Sequence, residues 1–227
     1  MASLGGKVAF VLGAAAEGNM GQSIARRLSA DGAKVVVAGR HENVLSALAK
    51  EIGGTWAVCD ITDAASLRKA IEGAAQQHGH LSIGVNATGL ALSSPFTDTS
   101  SEDLDRMYAV QFKGPYQYLQ ALVRAMTQGG SIIQISSATA TIMVDDYAAY
   151  MGTKAGIDHV VRCIANQYGS RGIRANSVSP GITDTPMAAA AFQSKAIVDC
   201  FRKEYPMGRV GTSEDIAAAV AWLASDE

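Results

Sequence analysis

The stretch Tyr150-Met151-Gly152-Thr153-Lys154 has the spacing in this sequence that most directly suggests chemistry. Residues four apart on a helix share a face, so the Tyr150 phenol and the Lys154 ammonium stand together. A phenol titrates near pH 10; bringing it close to 7 takes roughly three units, about 4 kcal/mol of preference for the phenolate. A nearby ammonium and a positively charged cofactor ring supply a field of that sign. Upstream, the apolar run Ile132–Ile135 ends in Ser136-Ser137, which brings a hydroxyl into the same constellation.

A second constellation follows the first apolar run. Gly13-Ala14-Ala15-Ala16-Glu17-Gly18-Asn19-Met20-Gly21 leads into the helical Gln22-Ser23-Ile24-Ala25. Backbone N–H groups and a helix N-terminus there suit a pyrophosphate. Residues Cys59-Asp60-Ile61 close a later strand. Asp60 there could accept a hydrogen bond from an adenine amino group or serve as a helix cap.

The elements that must position these residues alternate regularly. Lys7–Leu12, Lys34–Ala38, Thr55–Val58, Ile83–Asn86, Ser131–Ile135 and Ile173–Val178 read as buried strands. Helical periodicity fills Gly21–Asp31, Glu42–Glu51, Ala64–His78, Glu102–Thr127 and Ala148–Gly169. That βαβ order predicts an α/β, doubly wound parallel sheet with helices on both faces, and ligands beyond the carboxyl ends of its strands. Ser100 with Asp103 and Thr212 with Asp215 have capping-box spacing, and Gly32, Gly53 and Gly169 stand where helices should end.

The 227 residues suit one domain, and a net charge of -2 carries no electrostatic footprint for nucleic acid or membrane. Cys59, Cys163 and Cys200 are far apart and lack ligand spacing, which indicates neither a disulfide framework nor a metal site and fits a reducing, cytoplasmic setting. No stretch reads as a targeting segment.

Over essentially its whole length the sequence resembles the short-chain dehydrogenase/reductases. Asn86-Ala87-Thr88-Gly89 stands where that family has Asn-Asn-Ala-Gly, Ser137 precedes Tyr150 at the family's interval, and Tyr150-x-x-x-Lys154 is its signature. Pro180-Gly181-Ile182-Thr183-Asp184-Thr185-Pro186-Met187 looks like the loop beside the nicotinamide. The resemblance implies an NAD(P)-dependent oxidoreductase acting on a carbonyl or secondary alcohol. Tyr150 would exchange the proton, Ser137 would hold the reacting oxygen, and Lys154 would depress the Tyr150 pKa and bind the nicotinamide ribose. Gly13, Gly18, Met20, Gly21, Asp60, Ile61, Asn86, Gly89, Pro180, Gly181, Thr183 and Thr185 would line the cofactor. It also implies a homo-oligomer, commonly a tetramer, pairing Glu102–Thr127 and Ala148–Gly169 across a dyad.

Three departures follow. The family's glycine loop is two residues shorter, so Ala16, Glu17 or Gly18 must bulge near the phosphates. Gln111 replaces an Asn that feeds a water-mediated proton relay. Pro115, lacking an N–H and crowding the Gln111 carbonyl, suggests a kink that frees this carbonyl to hold the relay water, with simple packing of Pro115 as the alternative. Finally, the family adds a sheet-edge strand after a helix such as Asp215–Ala224, whereas the sequence stops at Glu227; the chain is either naturally short or truncated.

Arg40, closing the second strand in place of an acidic residue, favours NADP(H) over NAD(H) by offering a guanidinium to a 2′-phosphate, with the Glu17 carboxylate opposing it. Met187–Pro206 has the look of a substrate lid. Ala91, Met143 and Val144 are candidate walls for a small apolar carbonyl or alcohol substrate, or plain packing residues. His41, His78, His80 and His159 read as structural or surface residues. Two alternatives remain open: an enoyl-thioester reductase using Tyr147 and Lys154, seven residues apart, and a catalytically silent nucleotide-binding scaffold.

Overall fold

A computed structural model describes residues 3–189, Asp199 and residues 203–227. Six parallel strands form the main sheet: β1 Val8–Leu12, β2 Lys34–Gly39, β3 Thr55–Val58, β4 Ile83–Asn86, β5 Gly130–Ile135 and β6 Ile173–Val178, in the order β3-β2-β1-β4-β5-β6. Successive side chains of a strand face opposite layers. Val8, Phe10 and Leu12 therefore enter one core, and Ala9 and Val11 the other.

Helices α1 Met20–Ala30 and α2 Glu42–Ile52 contribute buried residues to the second core. Helix α3 Ala64–His78 contributes to the first. Between β4 and β5 the chain forms α4 Ser101–Tyr108, a π-turn Ala109–Lys113 and α5 Gly114–Ala125. Helix α6 Ala148–Tyr168 follows β5 and packs on the first core, and α7 Ser213–Ala224 covers the second. Strands β7 Thr183–Asp184 and β8 Gly211–Thr212 make a small parallel pair.

Local sequence sets the boundaries. Thr212 and Asp215 complete a reciprocal capping box on α7, and the Ser100 hydroxyl caps α4 by accepting from the Asp103 N–H. Gly53 ends α2 in the left-handed region. Gly169 caps the end of α6 as expected, in a right-handed helical conformation, and a short 3-10 turn carries the chain on to Gly172, which makes the reversal at φ 73°.

The expected helix Glu102–Thr127, with its kink at Pro115, is interrupted by a widened turn rather than a simple bend. Proline has no N–H for the ordinary bond to the carbonyl four residues back. The helix meets Pro115 with a π-turn, in which the Gly114 N–H reaches the Ala109 carbonyl. Helical dihedrals persist through Tyr108, Lys113 and Gly114, so the path widens for one turn.

Most of the expected lid Met187–Pro206 lies outside the described residues. No helix among the described residues is long and apolar enough to cross a membrane.

Candidate active site

Strand order reverses between β1 and β4, and the glycine loop emerges there. Gly13 sits at φ 101°, and a Cβ on it would lie 2.6 Å from the Ala87 carbonyl carbon, so only glycine lets the β1 and β4 ends approach this closely. A Cβ on Gly21 would strike the Gly13 carbonyl. Gly18, at φ 67°, is exposed, as are Ala16 and Glu17; Met20 opens α1.

Two side chains that sequence reasoning missed hold this loop together. Asn19 caps α1 by accepting from the Gln22 N–H (3.0 Å) and donates from Nδ2 to the Gly13 carbonyl (2.7 Å). The buried Gln22 side chain donates to the Ala14 carbonyl and accepts from the Gly18 N–H, both at 3.3 Å. Asn at a helix start was legible as a cap; its second bond depends on the fold.

Gly39 brings the end of β2 against Ala15, where its Cβ would fall 2.6 Å from that of Ala15. Arg40 follows, exposed and without an ion-pair or hydrogen-bond partner among the described residues. A cavity of about 520 Å³ behind the loop is lined by Glu17, Gly18, Gln22, Arg26 and Asn43, among others. A second, about 470 Å³, lies between α3 and α5 and takes in none of the expected site residues.

Asp60 accepts from the Thr62 N–H and hydroxyl, both 2.8 Å, which hold its carboxyl below the usual range and leave Oδ2 uncommitted. Ile61 is packed in the first core, so its side chain is no part of an open ligand surface. The side chain of Asn86 is committed within the fold. Fully buried, it donates to Gln134 Oε1 (2.9 Å) and accepts from the Thr88 N–H and hydroxyl, so it ties β4 to β5 instead of presenting its amide to a ligand.

Further along the carboxyl edge of the sheet, Ser137 follows β5, its hydroxyl 2.9 Å from that of Thr139. The Ala138 N–H donates to the Pro180 carbonyl (2.8 Å), docking the turn after β6 beside it. Thr183, buried, donates to the Gly181 carbonyl, and the Tyr205 hydroxyl accepts the Ile182 N–H, a contact the sequence did not announce. Thr185 donates to the Thr183 carbonyl at 3.4 Å. Met187, about half exposed, reaches back towards Gly89, where a Cβ would lie 3.3 Å from its Cε and 3.6 Å from Gln111 Oε1.

Helix α6 brings Tyr150 and Lys154 together: the Lys154 Nζ lies 5.7 Å from the Tyr150 ring centroid and donates to the Ile135 carbonyl at 2.9 Å. That carbonyl also accepts from Gln134 Nε2 (2.9 Å), so a buried polar chain runs from Asn86 through Gln134 to Lys154. Burial lowers the Lys154 pKa to about 8, against the attraction of Asp158. The expected depression of Tyr150 is reversed within the chain's own groups. Burial pushes its phenol above 10, the Ser137 hydroxyl acting the other way and Tyr147 adding to the rise. Desolvation disfavours both charged forms here, and the sequence carried no measure of that depth.

Gln111 is buried on the π-turn with Nε2 unpaired among the described residues.

A family model described as enoyl-(acyl carrier protein) reductase matches residues 13–227. The D-threitol dehydrogenase of Mycolicibacterium smegmatis is 34% identical over 98% of this chain and 87% of its own. The mitochondrial borneol dehydrogenase of Lavandula x intermedia is 33% identical over 99% and 85%. A gluconate 5-dehydrogenase from Burkholderia cenocepacia, crystallised with NADP and tartrate, superposes with a TM-score of 0.93 at 27% identity, covering 98% of this chain and 89% of that one.

Proposed function

From the premise that this chain belongs to the short-chain dehydrogenase/reductase family, we propose that it transfers a hydride between NADP(H) and the carbonyl or secondary alcohol of a small apolar molecule, with Tyr150 as acid/base. The observation that carries the proposal is the convergence of Tyr150, Ser137 and Lys154 at the ends of β5 and α6.

The loop after β1 suits a dinucleotide by its own chemistry: Gly13 and Gly21 let its backbone close tightly against β4 and on itself, and the N-terminus of α1 opens beside it. Gly13, Gly18, Met20 and Gly21 would hold the pyrophosphate, Asp60 Oδ2 the adenine, and Gly89, Pro180, Gly181, Thr183 and Thr185 the nicotinamide end. Bound there, the nicotinamide exchanges the hydride and, when oxidised, carries a positive charge. Tyr150, kept neutral by burial, holds the proton that a carbonyl oxygen needs as it is reduced. Ser137 orients that oxygen, and Lys154 lends positive charge to the phenolate left behind. Gln111, with its buried unpaired amide, supports a proton relay through the side chain.

The free guanidinium of Arg40 favours NADP(H), with the exposed Glu17 opposing it. Relatives named for threitol, a polyol, and borneol, a hydrocarbon alcohol, do not decide polarity. The exposed Ile142, Met143, Val144 and Met187 favour an apolar substrate. Leu104, Tyr108 and Tyr116 are exposed along α4 and α5, Tyr108 stacking on Phe112 at 5.4 Å; such a face supports pairing into a tetramer. A single catalytic domain in a reducing cytoplasm completes the reading.

Enoyl-thioester reduction is the second reading, favoured by the description of the matched family model and by Tyr147, whose ring meets Tyr150 edge-on at 6.2 Å. NADPH oxidation against apolar ketones and enoyl thioesters separates the two. With ketones, Tyr150→Phe lowers kcat by about 10²- to 10⁴-fold and leaves NADPH affinity in place, while Tyr147→Phe stays active. Enoyl turnover that survives Tyr150→Phe and fails in Tyr147→Phe would reverse the assignment, and nucleotide binding with no turnover of either class would return the scaffold alternative.

A further inference from the structure

Asp158 lies one turn beyond Lys154 on α6, on the same helix face. Both of its carboxylate oxygens are engaged: the Ser136 hydroxyl donates to Oδ2 and the Ser177 hydroxyl to Oδ1, each at 2.7 Å. Ser136 stands between Ile135, whose carbonyl receives the Lys154 ammonium, and Ser137. Ser177 belongs to the adjacent strand, β6. One carboxylate thus fastens the helix that carries Tyr150 and Lys154 to the ends of both strands beneath it. Two hydroxyl donors also fix where its negative charge sits.

We propose that Asp158 is a positioning residue of this active site: clamped by Ser136 and Ser177, its carboxylate holds Lys154 as an ammonium at the end of β5. The reaction served rests on the dehydrogenase reading above; the electrostatic claim does not.

The surroundings leave this task to Asp158. Beside Lys154 stand the Tyr150 ring and the Ile135 carbonyl, and β5 and β6 face Asp158 with serines, which do not ionise. On the π-turn Lys113 is exposed, and Phe112 covers Gly156 of α6 with its ring. Arg174 of β6 donates to the Leu223 and Ser225 carbonyls, and Arg171, in the turn after α6, to those of Val123 and Met126. On α6 itself His159 is exposed. Among the described residues, Asp158 is the carboxylate whose field opposes the loss of the Lys154 proton to burial.

The test is the titration of Lys154 itself, read by NMR at the side-chain Cε of 13C-lysine-labelled protein and assigned by loss of the signal in Lys154→Met. Asp158→Asn keeps the shape and can keep hydrogen bonds to both serines, but removes the charge. Its Lys154 midpoint falls by about one unit, and Asp158→Glu brings it back towards wild type. The alkaline limb of ketone turnover moves down with the midpoint in Asp158→Asn, a change that a purely structural role would not produce. An unaltered midpoint in folded Asp158→Asn overturns the proposal. Asp158→Ser carries the same expectation if the asparagine variant does not fold. Because the titration needs no turnover, a wild-type protein inactive on ketones would defeat the functional reading while the midpoints still decide the role of Asp158.

Discussion

The glycine loop after β1 and the polar cluster between β5 and α6 lie at the same carboxyl edge of the sheet, yet they are built on opposite terms. In the loop, function and stability agree: absent side chains let strands approach, and Asn19 and Gln22 satisfy the backbone they bind. Around Lys154 they conflict. A fully buried ammonium and a phenol pushed up by burial are retained although the fold would be easier without the charge. A substitution in the loop should therefore lower stability and binding together, whereas one in the cluster should separate stability from turnover.

Lys154→Met sharpens this contrast most. In the fold the Lys154 pKa is about 8, below the ordinary 10.5, so the unfolded chain binds more protons between those values. Stability from this group rises with pH across that window, and below pH 8 the fold bears the whole penalty, about 3 kcal/mol at most. The variant is expected to melt higher than wild type at pH 7, the gain shrinking towards pH 10.5, while ketone turnover drops about 100-fold or more. Gln134 continues to satisfy the Ile135 carbonyl. A lower melting temperature at pH 7 would dissolve the contrast.

Gly13→Ala is next. Its Cβ, 2.6 Å from the Ala87 carbonyl carbon at a backbone angle unsuited to alanine, should cost about 2–3 kcal/mol in urea denaturation and weaken NADPH in a fluorescence titration. Full stability with binding lost would show that the loop, too, trades one for the other. Arg40→Ala gives the smallest effect: about tenfold weaker NADPH, NADH unchanged and no change in melting, because the side chain is exposed. Equal weakening of both nucleotides would remove Arg40 from 2′-phosphate recognition.

The alternation of β-branched runs and helical stretches made the six strands legible to within a residue or so, and the family signature pointed to Ser137, Tyr150 and Lys154. What escaped were polar residues whose ordinary reading is bland. Gln134 sits in an apolar strand and Asp158 in a long helix, and the partners of both come from strands brought alongside by the fold. The π-turn was half legible, since Pro115 announced a break that the sequence read as a kink and the fold makes as a widened turn. The burial that raises the Tyr150 phenol among the chain's own groups escaped because charge is visible in a sequence and depth is not.

The strand order has a kinetic meaning too. β1 pairs with β4 only after α1, β2, α2, β3 and α3 have all been traversed, so this contact closes a long loop whose entropy must be met before the pairing repays it. Gly13 rests against Ala87 across that seam. The seat of the glycine loop against β4 is therefore a product of non-local assembly that the N-terminal βαβ unit does not contain by itself. A ligand that binds there pulls on the folding equilibrium of the whole sheet.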